Sequence, residues 1–293
     1  MTTGFVVLAN ASAGSADDEA LRAVAGRLRA VGPVELARSG SGGEVDEVLA
    51  GLAGRVLVVA GGDGSVHTAV GRLRALGLAS SAAVGLVPLG TGNDLARGSG
   101  VPLDPVEAAE LIASGNPARP ADLLVDDAGG VVVNAAHAGL GAEAADRSDS
   151  LKGSLGPLAY PLGALIAGVR ESGWDLEVVA DGAVVHRGAA LMVGVGNGPS
   201  IGGGTELFPG ARLDDGLADV VVVTAVGPAA RAAFAAALRS GTHVDRDDVV
   251  ALRAADVALS GDPVRHNTDG EVGDEVVRRR YTVEAGAWRL VRP

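Results

Sequence analysis

Asp63 is the residue whose type and setting most directly imply chemistry. It lies within Gly61-Gly62-Asp63-Gly64-Ser65, straight after the apolar run Val56-Leu57-Val58-Val59-Ala60. A buried strand that ends in glycines and leads into a helix puts backbone N–H groups at a sheet edge and at a helix N-terminus. Both are anion-binding positions. Glycines lack Cβ atoms, so a phosphate can lie against the backbone. A carboxylate in such a loop repels phosphate unless Mg2+ or an abstracted proton intervenes, so Asp63 reads as a metal-associated or base-like group. The competing reading is a turn in which Asp63 or Ser65 only caps the helix. Gly90-Thr91-Gly92-Asn93-Asp94 repeats the logic after another apolar run. There Thr91 can bond a phosphate or ribose, and Asn93 and Asp94 can cap the next helix. Two such loops together point to a nucleotide cleft.

The elements that must carry these loops follow from periodicity. Residues 5–9, 56–60 and 83–87 are short apolar runs that predict buried strands, with a further short strand at 34–37. Residues 17–30 place Leu21, Val24, Ala25 and Leu28 on one helical face, and residues 44–52 do the same with Val45, Val48, Leu49 and Leu52. A helix over 66–76 follows the first glycine loop, and a short helix follows the second. Strand and helix alternate, the pattern of a three-layer α/β domain around a parallel sheet. The pattern changes near residues 117–122. Beyond it strands dominate, at 121–125, 131–136, 176–179, 183–185, 189–195, 218–224, 255–260, 276–280 and 281–285. Helices there are confined to about 158–172 and 228–240. This predicts an α/β nucleotide-binding domain over 1–121 and a β-sandwich-like domain over 122–286. Residues 287–293 form a tail that could pair with either.

Composition narrows the function classes. The formal net charge is −12, which disfavours nucleic acid as a partner and purely electrostatic adhesion to anionic membranes. Aromatic residues make up 2%, so base stacking is not the main binding mode. Arg278-Arg279-Arg280 is the one dense basic cluster, and a solvated strand end is the expected reading. There is no cysteine, which removes disulfides, thiolate metal sites and a Cys nucleophile. The longest apolar run, 219–227, is far short of the ~18–20 residues of a membrane span. The N-terminal residues carry no basic segment or cleavage site. The expectation is a cytoplasmic protein whose membrane contact, if any, is peripheral, at the inner face. Whether it forms a homodimer is left open.

The paired loops resemble those of the diacylglycerol kinase catalytic-domain family, which includes bacterial lipid kinases and sphingosine kinases. That family has a Gly-Gly-Asp-Gly-Thr loop, where Ser65 here keeps the hydroxyl, and a Gly-Thr-Gly-Asn-Asp-type loop. Asn10-Ala11-Ser12-Ala13-Gly14 resembles its first-strand loop, with Ala11 in place of Pro. Asn134-Ala135-Ala136-His137-Ala138-Gly139-Leu140-Gly141 resembles the strand that opens its second domain. Asn197-Gly198, Gly202-Gly203-Gly204, Pro209-Gly210-Ala211 and Asp214-Asp215-Gly216-Leu217 resemble its late signature, and Asp269-Gly270-Glu271 its C-terminal motif.

The resemblance implies transfer of the ATP γ-phosphate to a lipid hydroxyl, with diacylglycerol the default acceptor. It implies Glu271 as proton acceptor, with Asp63 near the γ-phosphate and its Mg2+ and also a rival base. It implies nucleotide contacts from Asn10, Ala11, Ser12, Ala13, Gly14, Ser39, Gly61, Gly62, Asp63, Gly64, Ser65, Val66, His67 and Thr91. It further implies a structural Mg2+ held by the Asp215 carboxylate and the carbonyls of Arg212 and Leu217, oxygen ligands that suit a hard cation. Asp122 is placed by the same analogy near an interdomain cleft, or is a strand-edge residue. Taken alone, Asp269-Gly270-Glu271 also reads as a hairpin turn. Residues 151–169 could line a lipid entrance, though a packed helix is the plainer reading. Departures from the family pattern are the acidic Ser15-Ala16-Asp17-Asp18 and His67-Thr68, where the family has Asn-Glu. Two other functions compete: an NAD kinase-like enzyme, which shares Gly-Gly-Asp-Gly, and a nucleotide- or lipid-binding protein without turnover.

Overall fold

The computed structural model describes residues 4–11, 14–139 and 173–293. The chain forms two compact units, residues 1–123 with 285–293, and residues 124–284.

The first unit is built on a parallel sheet. β1 (Phe5–Asn10) lies between β2 (Val34–Ser39) and β3 (Val56–Gly61), and β3 pairs with β4 (Ala83–Pro88). The core of these strands is a run of Val, Leu and Ala; Val6, Val7, Leu57, Val58, Val84 and Val87 are fully buried. Continuous apolar runs are what a sheet covered on both faces requires. Two helix layers cover it. α1 (Ser15–Arg29) packs with α5 (Pro105–Ala113), joined by an Arg27–Glu110 ion pair, and α2 (Gly42–Ala50) packs with α3 (Asp63–Ala75), joined by Arg72–Asp46. Between them in sequence lies the short α4 (Asp94–Ser99). Of the side chains expected to face the core from the first two helices, Leu21, Val24, Ala25, Leu28, Val45, Leu49 and Leu52 are buried, and Val48 is only half-buried.

Two details differ from the sequence reading. α3 starts at Asp63 rather than at 66, so Gly64 and Ser65 sit in its first turn and Gly62 is its N-cap. The helix follows β3 with a single intervening residue, because the glycines let the chain turn at once. α5 was not anticipated, although Asp104 caps it with bonds to the Val106 and Glu107 N–H groups and Pro105 opens it.

The second unit is antiparallel and β-sandwich-like. β5 (Ala118–Asp126) enters it and pairs with β6 (Val131–Val132). Its main sheet runs β14 (Val249–Ala254), β13 (Ala218–Val223), β10 (Met192–Gly196), β7 (Ala135–Gly139), β15 (Asp256–Thr268) and β16 (Glu271–Val291). β8 (Trp174–Ala180) pairs with β15 and with β9 (Ala183–Ala190), and β11 (Ser200–Ile201) pairs with β12 (Thr205–Glu206). Among the described residues, the α-helix of this unit, α6 (Pro228–Ser240), buries Phe234, Ala235 and Leu238. Gly194 and Gly196 have a packing reason: a Cβ at either would stand 2.8 or 2.4 Å from the Phe208 ring, which lies across β10.

The strands expected at 276–280 and 281–285, and the tail from 288, are one strand, β16. Its end belongs to the first unit and pairs parallel to β4 through Arg289↔Ala83 and Leu290↔Val84, with Trp288 fully buried. Arg278-Arg279-Arg280 therefore lies mid-strand rather than at a strand end. Arg279 pairs with Asp126 at 3.3 Å and Arg280 with Asp256 at 2.7 Å. The expected strand at 131–136 is broken at Val133 and Asn134, and β14 was not anticipated. The helix expected at 158–172 and the apolar stretch 151–169 lie outside the described residues. Among the described residues, no helix is long and apolar enough to cross a membrane.

Candidate active site

In the first unit the nucleotide candidates gather at the carboxyl ends of the parallel strands. Asn10 and Ser39 are register partners at the ends of β1 and β2, and Gly61 faces Pro88 at the ends of β3 and β4. Ala11 continues this edge, its N–H bonded to Ser39 O at 2.9 Å, and Gly14 caps α1 with its N–H on Asp17 Oδ2 at 3.0 Å. Ser12 and Ala13 lie outside the described residues. Ser39 is buried, and its Oγ donates to Ser41 O at 2.9 Å. That bond explains the residue without a ligand.

The two glycine loops are interlocked. A Cβ on Gly90 would fall 2.5 Å from Gly62 Cα, and one on Gly61 would fall 2.3 Å from Ser65 Oγ. The loops therefore pack backbone against backbone, and only glycine allows that. Asp63 fastens them, its Oδ1 accepting the Leu95 N–H at 3.1 Å. Asn93 closes the second loop on itself from a left-handed conformation, φ 53°. Its Oδ1 accepts from Gly90 N–H at 3.1 Å and its Nδ2 donates to Gly90 O at 2.7 Å. Thr91 is left exposed at the tip. The helix-capping reading does not hold for α3, whose N-cap is Gly62, and Asn93 makes no side-chain cap bond on α4; the side chains tie the loops instead.

Two of the proposed contacts are narrowed by this geometry. The Val66 side chain is buried in the core and its N–H is bonded to Gly62 O at 3.2 Å, so it offers a ligand little. Ser65 N–H is likewise bonded to Gly62 O, at 3.0 Å, leaving its hydroxyl over Gly61. His67 is half-buried on the first turns of α3. Asp122 is buried, and its Oδ1 accepts the Gly286 N–H at 2.7 Å while its carbonyl accepts Trp288 Nε1–H at 3.0 Å. Its visible work is to hold the end of β16 against β5.

In the second unit, Asp269 and Gly270 form the turn between β15 and β16, with φ of 50° and 95°. Two successive left-handed residues are the signature of a two-residue hairpin loop. The hairpin reading of Asp269-Gly270-Glu271 is therefore correct as a description of shape. It also delivers Glu271, opposite Thr268, as the first exposed residue of β16.

The Asp215 region holds a cation already, but it is a guanidinium. Asp215 Oδ1 accepts the Leu217 N–H at 3.2 Å, and Oδ2 is paired with Arg253. Arg253 also reaches Asp219 Oδ2, at 3.5 Å, and Asp219 is its cross-strand register partner. Asp219 Oδ2 is buried without a hydrogen bond, and burial pushes its carboxyl above the usual range. Two converging carboxylates are the right kind of donor for Mg2+; Arg212 precedes them in sequence and Leu217 lies between them. Such an ion could settle only if Arg253 withdrew. Among the described residues no group of three or more His, Asp or Glu is arranged to hold a metal outright. Asp219 and Arg253 escaped the sequence reading. The i to i+4 spacing of Asp215 and Asp219 was the available signal for the first, and nothing local marks the second.

Comparison with known proteins gives consistent matches. Residues 4–125 match the family described as "Diacylglycerol kinase catalytic domain", and residues 134–292 match "YegS C-terminal NAD kinase beta sandwich-like domain". A protein of Pseudomonas fluorescens named "Probable lipid kinase YegS-like" is 34% identical over 251 residues, covering 81% of this chain and 77% of that one. The same name is carried by a Stenotrophomonas maltophilia protein, 34% identical over 248 residues, covering 80% and 77%. A solved Bacillus anthracis structure titled as a diacylglycerol kinase superposes with a TM-score of 0.80 at 23% identity, covering 99% of this chain and 97% of that one. At that identity the likeness speaks for the fold.

Proposed function

This chain belongs to the diacylglycerol kinase catalytic-domain family in its YegS-like form, and from that premise we propose that it transfers the γ-phosphate of ATP to a lipid hydroxyl, with diacylglycerol as acceptor and phosphatidic acid as product. The observation that carries the reading is the interlocked pair of glycine loops at the carboxyl ends of β3 and β4, tied by Asp63. Such a loop pair offers backbone N–H groups to phosphate oxygens and a carboxylate beside them, the parts phosphoryl transfer calls for.

The proposed division of labour has the first domain, residues 1–121, receive ATP at Asn10–Gly14, Gly61–His67 and Thr91. Glu271, from the second domain, accepts the proton of the acceptor hydroxyl. That oxygen then bonds the γ-phosphorus, the bridging bond to the β-phosphate breaks, and ADP leaves. Asp63 is the carboxylate assigned to hold the Mg2+ that would accompany the nucleotide, an ion that would supply positive charge against the phosphates. Arg212, Asp215 and Leu217 would hold a second, structural Mg2+ once Arg253 swings aside. With few aromatic residues and no long apolar helix among those described, the lipid is expected to be met at a membrane surface rather than drawn from within the bilayer.

The test is γ-labelled ATP with Mg2+ and the full-length protein against a panel containing diacylglycerol, monoacylglycerol, phosphatidylglycerol, sphingosine and NAD. Label in phosphatidic acid is the expected result. Label appearing in NAD alone would select the NAD kinase-like alternative. Saturable ATP binding with no labelled product in any arm would leave a binding protein without turnover.

A further inference from the structure

The Glu271 side chain makes no hydrogen bond or ion pair among the described residues, so its position is inherited from the turn that bears it. The strand pairing around that turn is short and irregular. Thr268↔Glu271 and Asn267↔Val272 are in register, and the pairing slips between Arg265 and Asn267. On its other side β15 is braced by β7, through Asn267↔His137 and Thr268↔Ala136. The turn beyond it is fastened by Asp269, whose carboxylate accepts three successive backbone N–H groups: Val133 at 2.7 Å, Asn134 at 2.9 Å and Ala135 at 3.0 Å. Asp269 N–H returns the contact to Ala135 O at 2.9 Å, and Gly270 N–H is capped by Asn267 Oδ1 at 3.0 Å.

The receiving segment is itself rigid. Val133, Asn134 and Ala135 are buried. Asn134 Nδ2 donates to Ser200 O, and Asn197 Nδ2 to Val133 O, each at 2.8 Å. Asn197 and Gly198 both donate their N–H groups to Asn134 O at 2.8 Å. A concavity of consecutive N–H groups is an anion nest, and charge-assisted bonds to it are stronger than neutral ones. Here the anion is the protein's own side chain, on a residue whose left-handed φ of 50° suits a two-residue turn.

The geometry points to Asp269 as a positioning residue: seated in the nest of residues 133–135, it fixes where Glu271 presents its carboxylate. This rests on the reading of Glu271 as the proton acceptor. Asp269 touches no reacting atom in this assignment and acts through Glu271 alone.

Full-length Asp269→Asn, Glu271→Gln and the double variant are compared in the labelled-ATP assay on diacylglycerol micelles, over hours and with excess enzyme so that slow variants are measurable. Asp269→Asn should lower kcat about 10- to 100-fold, the cost of misplacing a catalytic group by an ångström, with KM for ATP within about twofold of wild type. In the Glu271→Gln background it should add no further loss, because residues acting as one unit are not additive. The assignment is overturned if Asp269→Asn keeps its kcat, or if it costs the same factor with and without Glu271. Full activity in Glu271→Gln would instead sink the base assignment, and with it the need for a positioning residue. Should Asp269→Asn fail to fold, Asn267→Ala removes only the acceptor of Gly270 N–H. It should give a smaller kcat loss, about threefold, that again vanishes in the Glu271→Gln background.

Discussion

The two regions proposed to carry the chemistry position a carboxylate by opposite means. Asp63 sits at the end of a parallel strand, one residue after Gly62, and the residue it fastens, Leu95, is 32 positions away within the same α/β unit. Glu271 sits just past an antiparallel turn fixed by a nest 134 to 136 positions distant from Asp269. The first arrangement relies on missing side chains, since Gly62 and Gly90 meet backbone to backbone. The second relies on an added one. A site built from absent atoms should fail when atoms are inserted, and a site built on a clamp should fail when the clamp is released.

The largest expected effects come from the two carboxylates themselves. Glu271→Gln should lower kcat about 10²- to 10⁴-fold while ATP binding, measured by calorimetry, stays as in wild type. Asp63→Ala should lower activity by a comparable factor and also weaken ATP binding, because it releases the tie to Leu95. If Glu271→Gln weakened ATP as much as Asp63→Ala does, the contrast between the regions would collapse.

Gly90→Ala is the next test. The added methyl meets Gly62 Cα at 2.5 Å, backbone against backbone, so the loops must part. We expect about 1–3 kcal/mol of lost stability and at least a tenfold weaker affinity for ATP. Chemical denaturation with and without ATP checks both. An unchanged affinity would mean that the interlocked loops do not hold the nucleotide.

A pH test acts on the second unit alone. His266, its Nδ1 2.9 Å from Tyr281 OH, has its pKa lowered to about 4, chiefly by burial and then by Arg279, with Asp126 and Asp127 opposing. His137 is lowered to about 4 as well, by burial and by His266, and its Nδ1 is shut from solvent without a partner. Both imidazoles are neutral when folded and take up a proton more readily when unfolded. Their contribution is therefore full above about pH 6.5 and is lost as pH falls toward 4. A loss of roughly 2 kcal/mol per imidazole between pH 7 and pH 5 is expected in urea unfolding, about halved in His266→Phe. A stability that is flat over this range would exclude two buried neutral imidazoles.

The smallest effect concerns Arg253, whose side chain is 41% exposed, so its pairing with Asp215 is worth about 1 kcal/mol or less. Arg253→Gln should lower Tm slightly in chelator and regain it with Mg2+, while wild type responds little to Mg2+. Equal Mg2+ shifts in both proteins would show that Arg253 does not compete for that position.

Sequence alone determined the α/β frame, because apolar runs of period zero and helical faces of period 3.6 are local signals. It marked the glycine loops, whose function depends on neighbours a few residues apart, and it marked Glu271 through a motif. It could not show that residues 276–291 are one strand, since nothing local separates a break from a polar stretch. It did not reveal that the Asp269-Gly270-Glu271 hairpin is seated on residues 133–135, nor that Arg253 reaches Asp215 and Asp219. Those depend on which distant backbone amides and guanidinium the folded chain brings to each carboxylate. Hydrogen bonds across more than a hundred residues, such as Asp269 to Val133, leave no period in the sequence, and only the tertiary structure decides them.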